Sequence, residues 1–211
     1  MSVGVTSAIV LAAGSSRRLG HPKQTLALGP TTVLGATLDV VRSSALDQRI
    51  VTLGGAGAEV RATVDLDGVD VVQVDDHGHG CAASIVAAVD RVDPDAEGFV
   101  LLLGDQPGMD PAVIETLISF VGKQPTPPDA VITRYDDGLG HPMWLGRRCF
   151  DDLRALHGDK AVWKLLESGK VEVLEHPTPG RTMPLDVDTW DDYLALCKAE
   201  GVEPTAPAPV R

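Results

Sequence analysis

Short apolar runs alternate with helical segments through the first two thirds of the chain, and this alternation limits the fold more than any other feature. Each run consists mainly of Val, Ile, Leu or Ala, and a segment with apolar residues at helical spacing follows it. Continuous apolar strands joined by helices are typical of a parallel sheet covered on both faces. We therefore predict an α/β fold, three-layered and Rossmann-like, with a mostly parallel sheet. The predicted strands are residues 7–11, 49–53, 69–74, 98–103 and 130–133, and the predicted helices are residues 31–41, 56–64, 79–92 and 111–121.

The pattern becomes irregular after residue 134. There the sequence predicts a Gly-rich turn and short strand at 138–144, helices at 147–156 and 160–166, an edge strand at 171–174 and a helix at 188–199. With 211 residues, 44% of them hydrophobic, the chain fits one domain over residues 1–200. Residues 201–211 are rich in Pro and Ala and are predicted to form a disordered tail.

The charge and cysteine content exclude several classes of partner. A net charge of −12 disfavours binding to nucleic acid or to anionic membranes, because both need broad basic surfaces. No apolar run reaches the roughly 18 residues that a membrane span requires. Three cysteines without close spacing favour a reducing compartment over a disulfide framework. We therefore expect a cytoplasmic protein with no nucleic-acid or membrane partner.

A cationic loop follows the first predicted strand. The strand ends in the small residues of Leu11-Ala12-Ala13-Gly14-Ser15-Ser16, and Arg17, Arg18 and Lys23 come next. The first acidic residue of the chain is Asp39, so the loop lies in a locally positive part of an acidic protein. Backbone N–H groups of a Gly-rich turn flanked by cations suit phosphate. The loop matches neither the P-loop nor the dinucleotide fingerprint, and a solvated loop with surface cations is the alternative.

Two acidic motifs occur later in the chain, one directly after a predicted strand and one within an extended segment. Gly104-Asp105-Gln106-Pro107 comes directly after the most apolar strand, at the sheet edge where the cationic loop also lies. A carboxylate beside a phosphate site suggests a bridging Mg²⁺, which prefers oxygen ligands. In Asp186-Val187-Asp188, extended alternation points both acids to one side, and a second metal ligand could come from here. Turn or helix-capping roles are the alternative for each motif.

The loop at residues 76–83 permits two competing interpretations. Gly78-His79-Gly80-Cys81-Ala82-Ala83 fits the loose Gly-x-Gly-x-x-Ala form of a dinucleotide-binding oxidoreductase. It occurs at the third strand–helix junction rather than the first, and it leaves the cationic loop unexplained. Asp76, His77 and His79 could be zinc ligands, but no second His pair supports them.

These motifs together resemble one family. The run Leu11-Ala12-Ala13-Gly14-x-Ser16-x-Arg18-Leu19-Gly20-x-x-Lys23 resembles the signature of sugar-nucleotide-like nucleotidyltransferases, closest to the branch of molybdenum-cofactor cytidylyltransferases and their guanylyl relatives. Gly104-Asp105-Gln106-Pro107 resembles the metal-binding motif of that branch. Gly140-His141-Pro142, residues 185–189 and residues 78–84 are similar to its other motifs and occur in the expected order over about residues 7–197.

The resemblance implies a fold of the nucleotide-diphospho-sugar transferase type and roles for individual residues. Arg18, Lys23 and Asp105 would be catalytic, and Asp105 and Asp188 would bind Mg²⁺. Arg17 occupies a variable position and is expected to face solvent. The nucleotide-binding residues would be Leu11, Ala12, Ala13, Gly14, Ser15, Ser16, Lys23, Gly80, Ser84 and Asp105.

The implied reaction is transfer of a nucleoside monophosphate from an NTP to a phosphorylated acceptor, with release of pyrophosphate. Ala13 favours CTP over GTP, because the guanylyl branch tends to carry Gly there. Molybdopterin is the first choice of acceptor, and a cofactor-accepting enzyme is a possible partner of a monomer or small homo-oligomer. The alternatives are another acceptor, such as phospholactate or a sugar phosphate, and a non-catalytic protein that delivers a nucleotide or cofactor.

Two positions depart from the family pattern. Leu19 stands where Met is usual, which is a volume-conserving exchange. Residues 158–163 resemble an acceptor-side Gly-Asp-x-Gly-Ala-Arg segment but lack its second Gly and its Arg, and Trp163 stands at the Arg position. Trp163 either reshapes the acceptor pocket or belongs to the core of a helix.

Overall fold

The computed structural model describes residues 4–75, 81–158 and 160–205, with side chains described within helix 81–89 from residue 82 onward. The strands are β1 Thr6–Ala12, β2 Ala27–Leu28, β3 Thr31–Thr32, β4 Gln48–Leu53, β5 Asp70–Gln73, β6 Gly98–Leu103, β7 Ala130–Tyr135, β8 Gly138–Gly146 and β9 Val173–Pro177. The helices are α1 Val33–Ser43, α2 Gly57–Thr63, α3 Cys81–Val89, α4 Pro111–Gly122, α5 Phe150–Arg154, α6 Ala161–Glu167 and α7 Trp190–Glu200, with short 3-10 turns at Lys23–Thr25 and Arg147–Cys149.

Seven strands form one sheet in the order β5-β4-β1-β6-β8-β7-β9, and β2 pairs with β3 in a separate hairpin. β1 pairs in parallel with β4 and β6, and β4 pairs in parallel with β5. β8 runs antiparallel to both of its neighbours, β6 and β7. The predicted α/β, mostly parallel, Rossmann-like fold is therefore confirmed.

The sheet separates two apolar layers because side chains alternate along each strand. In β1, Ala8 and Val10 face the layer that contains α1 and α4, whereas Ile9 faces the layer that contains α3, α5 and α6. The helices predicted at 31–41 and 111–121 both begin after a capping residue: Thr32 Oγ1 accepts from Gly35 N, and the Asp110 carboxylate accepts from Ala112 N. These layers are mostly aliphatic.

The sequence prediction was wrong in detail after residue 134. The expected turn and short strand at 138–144 is the nine-residue strand β8, which lies inside the sheet between β6 and β7. Its Gly residues hid the strand signal, because glycine is uncommon in strands. The Trp144 ring lies against Gly98, where an added Cβ would be 2.6 Å from a ring carbon. The apolar segment before Asp188 has no regular structure.

The start of the predicted tail contacts the domain. Val202 N donates to Cys197 O at 2.9 Å, and Thr205 N donates to the Tyr193 hydroxyl at 3.0 Å. Residues 206–211 lie outside the described residues. One domain over residues 1–200 followed by a disordered tail stays a prediction.

A small third apolar cluster connects the cationic loop to the C-terminal helix. Leu19 and Leu26 from the loop region pack with Val187 and with Tyr193 of α7. Val187 is completely buried. This cluster brings the segment that contains Asp188 next to the loop that contains Lys23.

Candidate active site at the carboxyl edge of the sheet

The cationic loop is closed on itself by hydrogen bonds. Ser16 has a left-handed φ of 48°, and its carbonyl accepts from Leu19 N and Gly20 N at 3.1 Å each. The Ser16 hydroxyl accepts from Lys23 N at 3.0 Å. Ala12 and Ala13 are buried, whereas Gly14 and Ser15 are exposed at the sheet edge. The exposed turn is thus available to a ligand while its two ends are fixed.

Gln24 fixes the backbone at the start of the loop. Its side chain is buried, and Nε2 donates to Ala12 O at 2.7 Å and to Gly14 O at 3.0 Å. Across the loop, Gly54 directly follows β4, and an added Cβ at Gly54 would be 2.4 Å from the Ala13 carbonyl oxygen. Gln24 was not among the site residues predicted from the sequence, because a buried polar residue after a cation has no periodic signal.

Asp105 lies beside the loop because β6 pairs with β1 up to its end. Gly104 N donates to Leu11 O at 2.9 Å, and a Cβ at Gly104 would be 2.9 Å from the Ala12 Cβ. The next residue, Asp105, has a side chain that is only 20% exposed. Parallel pairing therefore brings the first and second sequence motifs together.

The Lys23 ammonium lies between two carboxylates. Its Nζ donates to Asp105 Oδ2 and to Asp188 Oδ1, the latter at 2.8 Å, and the Lys23 side chain is only 11% exposed. Arg18 donates to the other oxygen of Asp188, Oδ2, at 2.5 Å, but its side chain is 66% exposed. The four residues form one charge cluster at the mouth of the loop. Arg17 is exposed, as predicted.

The charges in this cluster hold one another in the ionised state. Burial by itself would lower the pKa of Lys23, but Asp105 and Asp188 outweigh burial, so its pKa lies above the ordinary value. The hydrogen bond from Lys23, followed by the contribution of Arg18, lowers the pKa of Asp188 against the opposing effect of burial. Lys23 therefore remains a cation, and Asp188 remains an anion, at neutral pH.

Two hydrogen bonds join the Asp105 turn to the Asp188 segment. Val187 N donates to Asp105 O at 3.0 Å, and Gln106 Nε2 donates to Asp186 Oδ1 at 2.8 Å. Burial and the nearby Asp105 raise the pKa of Asp186. Extended alternation predicted Asp186 and Asp188 on one side. In the structure Asp188 accepts from Lys23 and Arg18 of the charge cluster, whereas Asp186 accepts from Gln106 beside it. Gln106 had no role in the sequence prediction, because its amide is 80 residues away from its partner along the chain.

An open cleft of about 560 Å³ begins at the charge cluster. Arg18 and Asp188 of the cluster line this cleft together with Asp137 and Met183. The Met183 thioether lies over the backbone of β8, where a Cβ at Gly140 would be 2.9 Å from its sulfur. The Gly140-His141-Pro142 motif thus contributes to the site by giving space to Met183. The remaining wall residues are Pro184, Leu185, Asp186, Thr189 and Asp192.

Other predicted residues are placed as follows. Leu11 is half-buried at the end of β1, and Ser84 is buried within α3. Gly80 and the proposed zinc ligands Asp76, His77 and His79 lie outside the described residues. Trp163 is half-buried and packs against the apolar layer that contains α3 and α6, which favours its interpretation as a core residue.

The donor set fits a small hard cation. Asp105 and Asp188 already enclose one cation, the Lys23 ammonium, with carboxylate oxygens. Within the described part of the chain, no group of three or more His, Cys, Asp or Glu residues could hold a metal. Mg²⁺ and similar ions are commonly bound by one or two carboxylates, with water and substrate phosphates completing the coordination.

Comparison with known proteins identifies the class. The chain is 52% identical to Rv0371c of Mycobacterium tuberculosis H37Rv, with a TM-score of 0.86 over 94% of this chain and 100% of that one. A structure of Rv0371c in complex with manganese has 48% identity and a TM-score of 0.81, over 94% of this chain and 100% of that one. Purine catabolism protein PucB of Bacillus subtilis (strain 168) is 27% identical over 202 residues, which are 90% of this chain and 95% of that protein.

The fold, together with the family that the chain matches, defines a nucleotidyltransferase, so the oxidoreductase and non-catalytic alternatives are set aside. Over residues 8–175 the chain matches the family described as the MobA-like NTP transferase domain, and it belongs to that family. The family resemblance drawn from the motifs is confirmed. Among the described helices, none has the length and apolar content needed to cross a membrane.

Proposed function

We propose that this nucleotidyltransferase is Mg²⁺-dependent and transfers CMP from CTP to the phosphate of an acceptor, with molybdopterin as the first choice of acceptor. The observation that carries the proposal is the charge cluster of Lys23, Asp105, Asp188 and Arg18 beside the Gly/Ser loop. The cluster combines cations for a triphosphate with oxygen ligands for a metal. The manganese complex of Rv0371c supports a divalent metal for a relative of this chain.

The order of strands in the sheet suggests separate positions for the nucleoside and for the acceptor. The loop after β1 lies between β4 on one side and β6 on the other, and the cleft lies beyond β6, towards β7 and β8. The nucleoside is therefore proposed to lie over the β4 and β5 side, near Ala13 and Ser84. The acceptor is proposed to enter from the cleft.

Backbone N–H groups of Gly14, Ser15 and Ser16 would hold phosphate oxygens, and Arg18 and Lys23 would neutralise them. The acceptor phosphate would attack the α-phosphate in line, and pyrophosphate would leave without a covalent enzyme intermediate. A divalent cation held by Asp105 and Asp188 would supply further positive charge for the phosphate oxygens. Catalysis would then consist of positioning and electrostatic stabilisation.

Pyrophosphate release tests the proposal. The wild-type protein is assayed with CTP, GTP, ATP and UTP, each with molybdopterin, 2-phospholactate or a sugar phosphate, and with Mg²⁺ or Mn²⁺. We expect CTP with molybdopterin to give the highest rate. A different preferred acceptor would replace molybdopterin without changing the reaction type, whereas no release in any combination would overturn the transfer reaction.

The variant Asp105→Asn removes a proposed metal ligand while it keeps the side-chain shape. We expect pyrophosphate release to fall by about 100-fold or more, as for loss of other electrostatic groups that act on the transition state. The matched control is Asp151→Asn, at a side chain that is 98% exposed, and its rate should equal the wild-type rate. Retained metal-dependent activity in Asp105→Asn would remove Asp105 from the site.

The Bacillus relative supports a second candidate acceptor. Its name assigns it to purine catabolism, and it matches nearly the full length of this chain. The same transfer with an acceptor used in purine catabolism is therefore the second proposal. Activity with such an acceptor, and none with molybdopterin, would decide between them.

A further inference from the structure

The Lys23 side chain is held in a position that a metal ion also needs. Its ammonium contacts Asp105 Oδ2 and Asp188 Oδ1, the carboxylates proposed as metal ligands. Its backbone N–H is fixed by the Ser16 hydroxyl at 3.0 Å, so movement of the ammonium requires rotation of the side chain rather than of the loop. The backbone of Lys23 is therefore fixed, whereas its ammonium group can change hydrogen-bond partners.

A divalent cation and this ammonium compete for the same oxygens. A metal ligated by both carboxylates needs the lone pairs that now accept from Lys23 Nζ, and the two positive charges repel at short range. Displacement also has a cost for Lys23, because its side chain is only 11% exposed and an ionised group that is mostly buried needs a partner. A nucleotide triphosphate bound at the loop supplies new acceptor oxygens for that ammonium.

We propose that Lys23 acts as an internal counter-ion that occupies the metal position until a nucleotide accepts its ammonium. Metal and nucleotide then bind with positive coupling, because each one favours the Lys23 position that the other requires. Coupling between two ligands is reciprocal, so nucleotide must raise metal affinity by the same factor by which metal raises nucleotide affinity. The inference rests on the proposed function, since it requires the metal site at Asp105 and Asp188.

Arg18 does not fulfil the same role. Arg18 contacts only Oδ2 of Asp188, so a metal can bind Asp105 and Oδ1 of Asp188 without displacing it. Its side chain is 66% exposed, so water can solvate it when it moves. The competition with metal is therefore specific to Lys23.

The test measures Mn²⁺ affinity in the absence of nucleotide, by the electron paramagnetic resonance signal of free Mn²⁺. Lys23→Met keeps the apolar stem and removes the ammonium, and we expect it to bind Mn²⁺ about tenfold more tightly than the wild type, within the usual size of coupling between sites. Lys164→Met, at an exposed lysine of α6, is the control and should not change the affinity. Asp105→Asn should abolish Mn²⁺ binding, both as a single variant and when combined with Lys23→Met. Lys23→Gln is measured in parallel, and circular dichroism establishes that each variant is folded.

The second measurement adds α,β-methylene-CTP, which cannot be cleaved at the bond that reacts. In the wild type it should raise Mn²⁺ affinity by a larger factor than in Lys23→Met, while Mn²⁺ binding to free nucleotide is the same in both samples. Equal Mn²⁺ affinity of wild type, Lys23→Met and Lys23→Gln without nucleotide would overturn the counter-ion role and leave the metal site intact. No Mn²⁺ binding to any protein, with or without nucleotide, would overturn the metal site itself.

Discussion

Two buried glutamines hold the segments of the candidate active site in place through their side-chain amides. Gln24 bonds two carbonyls of the cationic loop, and Gln106 bonds Asp186. The Oε1 atom of each has no hydrogen-bond partner among the described residues. Buried polar groups of this kind are usually satisfied, and their exceptions often lie at functional sites. The NH₂ groups of both amides therefore position the segments that bear the charges.

Replacement of Gln106 by Leu tests this positioning role. The variant Gln106→Leu removes the side-chain donor of Asp186, an exposed residue that water can solvate, so the free energy of unfolding should fall by about 0.5–1.5 kcal/mol. It should also weaken Mn²⁺ binding, because the Asp188 segment loses one of its two connections to Asp105. Urea unfolding followed by circular dichroism measures the first effect.

The control is Gln124→Leu, since among the described residues the Gln124 side chain donates only to the Phe120 carbonyl at the end of α4. Its unfolding free energy should change by less than about 0.5 kcal/mol, as for most surface substitutions. If Gln106→Leu has the wild-type free energy of unfolding, the hydrogen bond to Asp186 does not stabilise the fold.

At the scale of single elements, α7 determines where Asp188 lies. The Thr189 hydroxyl accepts from Asp192 N, and Asp192 Oδ2 in turn accepts from Thr189 N at 2.7 Å and from Asp188 N at 3.1 Å. This capping box fixes the backbone of the proposed metal ligand as well as the first turn of the helix. Tyr193 and Val187 then anchor the helix on the third apolar cluster.

Thr189→Ala removes the hydroxyl half of the capping box. We expect it to lower the unfolding free energy by about 1 kcal/mol, the usual value for an N-cap, and to weaken Mn²⁺ affinity because the Asp188 backbone loses support. Thr189→Ser keeps the hydroxyl and should retain both properties. If Ala and Ser variants behave alike in both measurements, the cap does not position Asp188.

At the scale of the whole molecule, acid stability depends on buried histidine. His141 lies in β8 inside the sheet, and burial lowers its pKa to about 4. Burial also lowers the pKa of His176 in β9. The unfolded chain therefore binds protons that the folded chain does not, so stability falls as the pH decreases from about 6.5 towards 4. The lowered pKa of Asp188 acts in a more acidic range, because a carboxylate of this kind loses its contribution only below its ordinary value.

The expected loss from His141 alone is about 3 kcal/mol between neutral pH and pH 4, at roughly 1.4 kcal/mol per pH unit. His141→Gln should flatten the dependence of unfolding free energy on pH between 6.5 and 4, measured by urea unfolding at fixed ionic strength. His157→Gln, at an exposed histidine, should keep the wild-type slope. If the unfolding free energy of His141→Gln depends on pH as steeply as that of the wild type, His141 is not the source of the acid sensitivity.

The fold class and most charged members of the site follow from the sequence by itself. Apolar runs that end in small residues are local signals, and parallel strands place their ends at one edge, so Lys23 and Asp105 were expected near one another. The family resemblance added Asp188 to them. The family pattern then distinguished Arg18 and Lys23 from Arg17.

Only the tertiary structure decided how these residues pair. Lys23 is 82 residues from Asp105 and 165 from Asp188 along the chain, and no local pattern predicts that one ammonium lies between both carboxylates. No local pattern predicts four other features either. They are the hydrogen bonds of Gln24, the bond between Gln106 and Asp186, the contact of Met183 with Gly140, and the insertion of β8 between β6 and β7. Such contacts depend on which surfaces pack together when the chain buries its apolar layers, and periodicity along the chain carries no information about them.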